Sequence, residues 1–264
     1  MKQLESRVRE LILGVFSAFL DILYPHRCPS CRTITSDDSF CSTCWANLSF
    51  IEEPCCLACG EPLDPNCNRN MLCAACSRGK YSFDRSLSVF VYNRTIAKAI
   101  YRFKFKRQAF LSKFFLKFLL KRLEPLRGAV DILVPVPIHI RRLKWRGYNQ
   151  TLLLAREISE KTLIKCIPDL LTKRRHTAAQ TTLHFRKRRN NLRLAFGINQ
   201  NYMESIRDKN IMIVDDVFTT GSTVDECAKI LKENGVGRVF VLTIAKTLLA
   251  KGAVISGGDR TRKF

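Results

Sequence analysis

The residues best suited to chemistry in this 264-residue chain fall into two groups, and the first group is a cluster of cysteines. Ten of the twelve cysteines lie between Cys28 and Cys76. Eight of these form four Cys-x2-Cys pairs, and each pair can present two sulfurs to one tetrahedral ion. The pattern therefore predicts one or two structural zinc ions rather than an iron–sulfur cluster. The predicted ligands are Cys28, Cys31, Cys41, Cys44, Cys56, Cys59, Cys73 and Cys76.

The spacing leaves open how these four pairs combine, because sequential and interleaved arrangements both complete two sites. Cys55 and Cys67 are spare thiols that can replace a neighbour, and His26 is expected to be a loop residue rather than a ligand. A closed four-thiolate site has no open coordination position, so its predicted role is to fold a module too small for a large core. Cys166 and Cys227 stand in apolar or helical contexts and are predicted to be core residues.

The second group lies in the segment from 211 to 223, which reads IMIVDDVFTTGST. The segment predicts a buried parallel strand that ends in two acids, then a short loop, then a helix. Gly221 allows the backbone to approach a phosphate, and the amides at the start of the helix favour its charge. Asp215 and Asp216 are placed to accept hydrogen bonds from ribose hydroxyls and to approach a magnesium ion that a diphosphate brings. The segment therefore predicts a sugar-phosphate site.

Other interpretations of this segment are weaker. A Walker B strand would need a GxxxxGK[ST] motif elsewhere, and the chain contains none. A Rossmann fingerprint is excluded because GxGxxG is also missing. An ordinary strand–turn–helix corner with a capping hydroxyl is the remaining alternative.

Two basic segments can supply positive charge to a diphosphate. The first is predicted to be a loop: it follows the sequence VPVP at 134–137, whose prolines impose a turn, and it carries four cations within 141–146. The second, 173–193, holds eight cations and no acid, which predicts a mobile lid that closes over the ligand. A basic surface turn and a nucleic-acid-binding arm are the respective alternatives. Arg146, Arg174 and Arg175 are the predicted catalytic cations.

These motifs resemble those of a known family. Segment 211–223 resembles the signature of type I phosphoribosyltransferases that binds phosphoribosyl pyrophosphate (PRPP). With VPVP, RRxxxRGYNQ, TxxQ and RxxN, it resembles the ComF family of phosphoribosyltransferase-like proteins over about residues 22–247. The same region is similar to the transferase half of amidophosphoribosyltransferases, but the glutaminase domain and its N-terminal cysteine nucleophile are missing here.

The resemblance implies roles for individual residues and a biological setting. Asp215 and Asp216 would bind the ribose, with magnesium accompanying PRPP. The 5′-phosphate would be held by Thr219, Thr220, Gly221, Ser222 and Thr223. The family's link to competence implies DNA uptake as the setting. Phosphoribosyl transfer is the implied activity, with no acceptor indicated, and a non-catalytic PRPP-binding module that handles nucleic acid is the alternative.

The elements that must position these residues form an alternating pattern after residue 81. Strands are predicted for the apolar runs at 83–92, 130–134, 211–214 and 239–245. Helices are predicted at 150–161 and 223–233 and over most of 96–123. Such alternation predicts an α/β fold, here a type I phosphoribosyltransferase-like parallel sheet flanked by helices. The predicted organisation is an amphipathic helix at 1–24, a zinc-ribbon-like module at 25–80, the α/β domain at 81–250 and a flexible tail at 251–264.

The charge distribution separates the two modules. Residues 1–80 carry 8 Lys and Arg against 9 Asp and Glu, whereas residues 81–264 carry 37 against 14. The basic excess therefore belongs to the second segment and favours polyanionic ligands. The apolar run at 11–20 is too short to span a bilayer. No small-residue cleavage site follows it, as a secretory signal would require, so the expected compartment is the cytoplasm. The partners left open are single- or double-stranded DNA, a membrane surface or DNA-uptake machinery, and a second copy of the chain.

Overall fold

The strands predicted after residue 81 pair into one parallel sheet. The computed structural model describes residues 25–68, 71–173 and 195–248. In this part of the chain the sheet has five strands: β1 (Arg85–Val91), β2 (Ile132–Pro135), β3 (Lys165–Cys166), β6 (Ile211–Phe218) and β7 (Val239–Lys246). Their order in the sheet is β1-β7-β6-β2-β3, and every neighbouring pair is parallel. A separate antiparallel pair joins β4 (Leu171–Lys173) to β5 (Phe196–Ile198).

Helices cover both faces of the sheet. The helices are α1 (Ser42–Ala46), α2 (Arg94–Phe105), α3 (Leu111–Leu123), α4 (Ile140–Arg146), α5 (Gln150–Thr162), α6 (Met203–Ile206) and α7 (Ser222–Glu233). One core contains the apolar sides of α2, α3 and α5 together with Met212 and Val214 of β6. The opposite core contains the apolar side of α7 together with Ile211 and Ile213. This division follows from the alternation of side chains along a strand.

The predicted fold class is confirmed: a parallel sheet is flanked by helices and preceded by a zinc-ribbon module. Two predicted elements differ from the structure, the first of them only in part. The helix expected over 96–123 is two helices, because the chain turns between them and Arg107 adopts a left-handed φ of 54°. The basic loop expected at 141–146 is helix α4, which ends at Gly147 with φ 84°.

The cysteine module packs against the sheet domain rather than standing apart from it. Cys28 and Phe40 of its first half lie in the core with α2 and α3. Cys56, Cys59 and Cys76 of its second half lie in the core with α7. Each half of the module therefore adds to a different face of the sheet. The amphipathic helix predicted at 1–24 and the tail predicted at 251–264 lie outside the described residues.

Candidate sugar-phosphate and zinc sites

The predicted phosphate loop connects the end of β6 to the start of α7. Gly221 caps α7 with a left-handed φ of 77°. A Cβ at this position would lie 2.5 Å from Cζ of Phe218 and 2.8 Å from Cε1 of Tyr81, so glycine alone fits. The hydroxyls of Thr220 and Ser222 are 2.8 Å apart, and Thr219 is exposed. The loop thus gathers hydroxyl and amide donors at a helix start, as an anion site requires.

Both acids lie inside β6 rather than at its end, which corrects the predicted strand end. The strand continues to Phe218 because its pairing with β7 stays in register through Phe218 and Lys246. As neighbours in a strand, the two acids point to opposite faces. Asp216 contacts α2 and α5, whereas Asp215 lies near Cys227 of α7.

Asp216 is held in a chain of polar contacts on the α2 and α5 face. Asp216 is 5% exposed, and Nζ of Lys104 lies 2.6 Å from its Oδ1. Nε2 of Gln150 donates to Oδ2 of Asp216 at 2.8 Å. Nη1 of Arg146 donates to Oε1 of Gln150, also at 2.8 Å. The chain fixes the orientation of the carboxylate and neutralises it before any ligand binds.

Asp215 has a different electrostatic environment. Burial, followed by repulsion from Asp216, raises the pKa of Asp215 to about 7. Lys104 and Lys173 act in the opposite direction, as does the amide of Asp216, which donates to Oδ1 of Asp215 at 2.8 Å. Protonation of this carboxyl group therefore changes near neutral pH. An incoming cation or ribose hydroxyl would favour the ionised form.

The predicted catalytic cations differ in what the structure shows of them. Arg146 is 8% exposed, stacks 4.7 Å above the ring of Phe105 and bonds Gln150. Burial lowers its pKa, and Asp216 opposes that shift. In this arrangement Arg146 positions Gln150 and Asp216, and its contact with a leaving pyrophosphate stays a prediction. Arg174 and Arg175, like the rest of 174–193 in the predicted lid, lie outside the described residues.

Sequence reasoning missed several residues that the structure brings to the acids. Lys104 lies in the last turn of α2, where a lysine is usually solvated. Lys173 was predicted as the first cation of the lid, but it ends strand β4. It stacks 5.0 Å over the ring of Phe196, and its pKa is lowered by burial and by Arg142. Gln150 is the last residue of the motif RRxxxRGYNQ, from which no role for its side chain was predicted. Its position directly after a basic helix was the signal that could have indicated one.

The eight predicted zinc ligands form two clusters, and the pairing is sequential. Cys28, Cys31, Cys41 and Cys44 bring their sulfurs within 4.8 Å of one another, and so do Cys56, Cys59, Cys73 and Cys76. The sulfurs of Cys31 and Cys41 are 3.5 Å apart, and those of Cys59 and Cys73 are 3.8 Å apart. A tetrahedral site with Zn–S bonds of about 2.3 Å requires sulfurs about 3.8 Å apart. Both clusters therefore fit zinc.

Nearby donors favour the thiolate form of one sulfur in each cluster, whereas burial raises the pKa of Cys44, Cys59 and Cys76. Burial raises the pKa of Cys56, but amides of Cys59, Cys73 and Ala58 outweigh it and lower the pKa to about 7. The hydroxyl and amide of Thr33 lower the pKa of Cys31 to about 6. Such donors stabilise thiolates, which are the form that binds metal. Cys55 and Cys67 lie outside both clusters, as does His26, which bonds Asp38 at 2.8 Å.

An aromatic groove lies beside Lys104 and Arg146. It encloses a cavity of about 570 Å³ and is lined by the rings of Tyr92, Tyr101, Phe105 and Trp145, with Lys104, Arg142 and Arg146 as its cations. The rings form a row, with centroids 5.1 Å apart for Tyr101 and Phe105 and 5.6 Å apart for Phe105 and Trp145. Trp145 is 62% exposed. The combination of exposed rings and cations suits a planar, anionic ligand.

Comparison with known proteins gives consistent results for both modules. Residues 19–77 match the double zinc ribbon domain. Competence protein F of Haemophilus influenzae is 29% identical over 228 residues, which is 83% of this chain and 96% of the relative. DNA utilization protein YhgH of Escherichia coli (strain K12) is 30% identical over 213 residues, 79% of this chain and 90% of the relative. Competence protein ComFC of Bacillus subtilis (strain 168) is 28% identical over 213 residues, 75% of this chain and 80% of the relative.

Solved structures give a weaker similarity. The adenine phosphoribosyltransferase of Thermoanaerobacter pseudethanolicus is 17% identical, with a TM-score of 0.34, over 54% of this chain and 83% of that one. Within the part of the chain that the structure describes, none of the helices has the length and apolar character needed to cross a bilayer.

Proposed function

Because this chain belongs to the ComF family of competence and DNA-utilization proteins, we propose that it binds PRPP with magnesium at the end of β6. The observation that carries the proposal is the loop itself. A strand bearing two acids runs directly into Thr219, Thr220 and Gly221, and a helix begins at the next residue. A helix N-terminus next to two carboxylates supports the proposal, because it offers donors to a phosphate and acceptors to the hydroxyls of a ribose.

Each residue of the site has a distinct task in this proposal. The loop amides and the hydroxyls of Thr219, Thr220, Ser222 and Thr223 hold the 5′-phosphate. Asp215 accepts hydrogen bonds from the ribose hydroxyls in its ionised form. Asp216 supports the same sugar from the opposite face of the strand, held in place by Lys104 and Gln150.

Phosphoribosyl transfer is the reaction that follows from this binding mode. The bond between C1 of the ribose and the pyrophosphate oxygen breaks, and pyrophosphate leaves with the electron pair. An acceptor nucleophile then bonds C1 and releases its proton. Magnesium would supply charge that neutralises the diphosphate, and we assign Arg174 and Arg175 to the same leaving group. We place the activity in the cytoplasm, because eight thiolate ligands persist best in a reducing compartment.

Calorimetry with PRPP and magnesium tests the binding site. The Asp215→Ala/Asp216→Ala double variant should lose binding while its far-ultraviolet dichroism stays that of a folded protein. Glu160→Gln is the matched control, since Glu160 is an exposed acid on α5. Unchanged affinity in the double variant would refute the site assignment.

Pyrophosphate release tests the reaction separately. The folded protein is incubated with PRPP, magnesium and a panel of nucleobases and amines. Release that depends on one acceptor class identifies the transferase and its substrate. Tight PRPP binding without release above background would instead favour a non-catalytic PRPP-binding module.

Binding of single-stranded nucleic acid is a second candidate function, favoured by the aromatic groove. Bases stack on exposed aromatic rings while neighbouring cations contact the phosphates, largely without regard to sequence. Trp145→Ala should weaken binding of a labelled single-stranded oligonucleotide by about tenfold, the lower range for one lost stacking contact. Trp45→Ala is the control, because Trp45 is also half exposed but lies in the first zinc ribbon. Equal effects of the two variants across a salt titration would exclude the groove as the binding surface.

A further inference from the structure

The second zinc cluster, formed by Cys56, Cys59, Cys73 and Cys76, lies against the phosphate loop. Tyr81 follows the last of these ligands by five residues, and its hydroxyl donates to the carbonyl of Thr220 at 3.0 Å. Burial, followed by the charges of Cys59 and Cys76, raises the pKa of Tyr81, so the phenol remains a donor at neutral pH. Its ring stacks on Phe83 with centroids 4.7 Å apart. A hydrogen bond therefore joins the chain leaving the zinc cluster to the middle of the loop.

The Tyr81 ring also shapes the loop from below. It packs against Phe218 with centroids 5.8 Å apart, and both rings occupy the space that a side chain at position 221 would need. The left-handed turn at Gly221 is thus formed against a surface to which the first residue after the zinc module contributes. A change in the position of Tyr81 must change the packing under Gly221.

Lys246 makes a second connection between the cluster and the loop. It ends β7 beside Phe218, is 1% exposed, and its Nζ lies 4.1 Å from the Phe218 ring centroid. The same Nζ lies 3.4 Å from a carboxylate oxygen of Glu61, two residues after the ligand Cys59. Four thiolates around one zinc ion carry a net charge of about −2. Lys246 is therefore a buried cation whose compensation comes from the second ribbon.

A third connection reaches the helix that follows the loop. The amide of Ser82 donates to Oδ1 of Asp225, in the first turn of α7, at 2.6 Å. The amide of Ser86 donates to the carbonyl of Ala58 at 2.6 Å, so the ribbon is also tied to β1. The ribbon and the two residues that follow it thus contact a carbonyl of the loop, strand β1 and the helix after the loop.

The first zinc cluster, formed by Cys28, Cys31, Cys41 and Cys44, makes its described contacts elsewhere. Nη1 of Arg102 in α2 donates to the carbonyl of Pro29 at 2.9 Å. Phe40 packs on Phe114 of α3 with centroids 5.0 Å apart. These contacts lie on the face of the sheet opposite α7, so the two clusters form a natural matched pair.

We propose that Tyr81 and Lys246 are positioning residues for the phosphate loop, and that zinc in the second cluster sets the loop's affinity for a phosphate-bearing ligand. The proposal rests on the function proposed for this loop. Metal at the second cluster orders the ribbon, the ribbon holds Tyr81 and Lys246, and these hold Thr220 and Phe218. Linkage makes the effect reciprocal: PRPP tightens zinc at the second cluster by the factor by which zinc tightens PRPP.

The primary test compares matched single-ligand variants of the full-length chain. Cys41→Ser and Cys73→Ser each remove one half-buried ligand, one from each cluster. Each purified variant should carry one zinc ion where the wild type carries two. Cys73→Ser should accelerate amide hydrogen exchange over 218–225 and weaken PRPP binding by at least tenfold. Cys41→Ser should leave both measurements within about twofold of wild type.

Two Tyr81 variants separate positioning from folding. Tyr81→Phe keeps the ring and removes only the bond to Thr220, so PRPP binding should weaken about three- to tenfold with two zinc ions retained. Tyr81→Leu also removes the ring beneath Gly221 and should weaken binding further. A general loss of structure would instead lower the zinc content and speed exchange throughout the sheet.

Reciprocity provides a measurement from the zinc side. Release of zinc to a chelating dye is followed in Cys41→Ser, which keeps the second cluster, and in Cys73→Ser, which keeps the first. PRPP with excess magnesium should slow release from the second cluster alone. Equal slowing at both clusters, or at neither, would overturn the proposal.

The outcomes distinguish this proposal from the one on which it rests. Wild type that holds two zinc ions but binds no PRPP would refute the proposed function, and hydrogen exchange over 218–225 would still decide the coupling. The other outcome is that wild type binds PRPP and that Cys41→Ser and Cys73→Ser match it in PRPP affinity and in amide hydrogen exchange over 218–225. That result would refute the coupling but not the proposed function.

Discussion

The two faces of the parallel sheet carry similar groups, a four-cysteine cluster and an acid of β6, in different surroundings. Each face has one four-cysteine cluster and one acid of β6. On the α2 and α5 face, Asp216 is paired with Lys104 and bonded by Gln150, and the first cluster contacts α2 and α3. On the α7 face, Asp215 has a pKa near neutrality and the second cluster lies under the phosphate loop.

Two zinc clusters with identical ligands can therefore affect the protein in different ways. A closed zinc site contributes folding free energy wherever it lies. Only a site whose ribbon touches a binding loop can also alter that loop's affinity. Substitution in the first cluster is therefore expected to lower stability alone, and substitution in the second cluster to lower ligand affinity as well.

Gly221→Ala should have the largest effect and would sharpen this contrast on the α7 side. The new Cβ combines a left-handed φ with collisions against Phe218 and Tyr81. Together these cost about 3 kcal/mol of unfolding free energy, and PRPP affinity should fall at least tenfold. Urea unfolding and calorimetry measure the two effects.

Gly235→Ala is the control for the backbone contribution. Gly235 has a φ of 78°, nearly the same as Gly221, but nothing lies within 4 Å of its added Cβ. The control should lose about 1 kcal/mol through φ strain and keep its PRPP affinity. Equal losses of stability and of PRPP affinity in the two alanine variants would show that the packing of Tyr81 against the loop does not affect ligand binding.

Asp216→Ala should have the next largest effect, on the opposite face. It leaves Lys104 and Gln150 without the carboxylate they contact, which costs about 2–3 kcal/mol of unfolding free energy for a pair that is mostly buried. Combining it with Lys104→Met should recover part of that loss, and a double-mutant cycle measures the coupling. Additive losses would show that the 2.6 Å contact contributes no stability of its own.

Much of this arrangement could be predicted from sequence, and the failures have physical reasons. The segment from 211 to 223 identified the loop because hydroxyl residues and glycine after an apolar run have few alternative structures. The strand's extension through Asp215 and Asp216 was missed because aspartate is poor in isolated strands, and Lys104 and β7 pairing compensate here. The role of Tyr81 depends on a contact with Thr220, 139 residues away, which no local pattern encodes.

PRPP binding should depend on pH through Asp215. Its pKa of about 7 means that the ionised form, which the ribose hydroxyls require, increases from pH 6 to pH 8. Affinity should therefore rise about tenfold across that interval and then level off. PRPP's own phosphates titrate nearby, so Asp215→Asn is needed to isolate the protein's share. An unchanged pH profile in this variant would assign the whole dependence to the ligand.

The smallest expected effect is on stability, and it distinguishes the two acids directly. Because the folded-state pKa of Asp215 is raised from 3.8 to about 7, the folded protein holds a proton that the unfolded chain releases between these values. Wild-type stability should therefore fall as pH rises from 4 to 7, relative to Asp215→Asn, which has no proton to release. The asparagine variant should be more stable above pH 7 by about 1–2 kcal/mol, after allowing for the partial exposure of the site. Asp216→Asn should show the opposite sign, since it weakens a formed ion pair. Urea unfolding of both variants at pH 5 and pH 8 measures the change in unfolding free energy that each substitution causes. Changes of the same sign would mean that Asp215 and Asp216 contribute to stability in the same way.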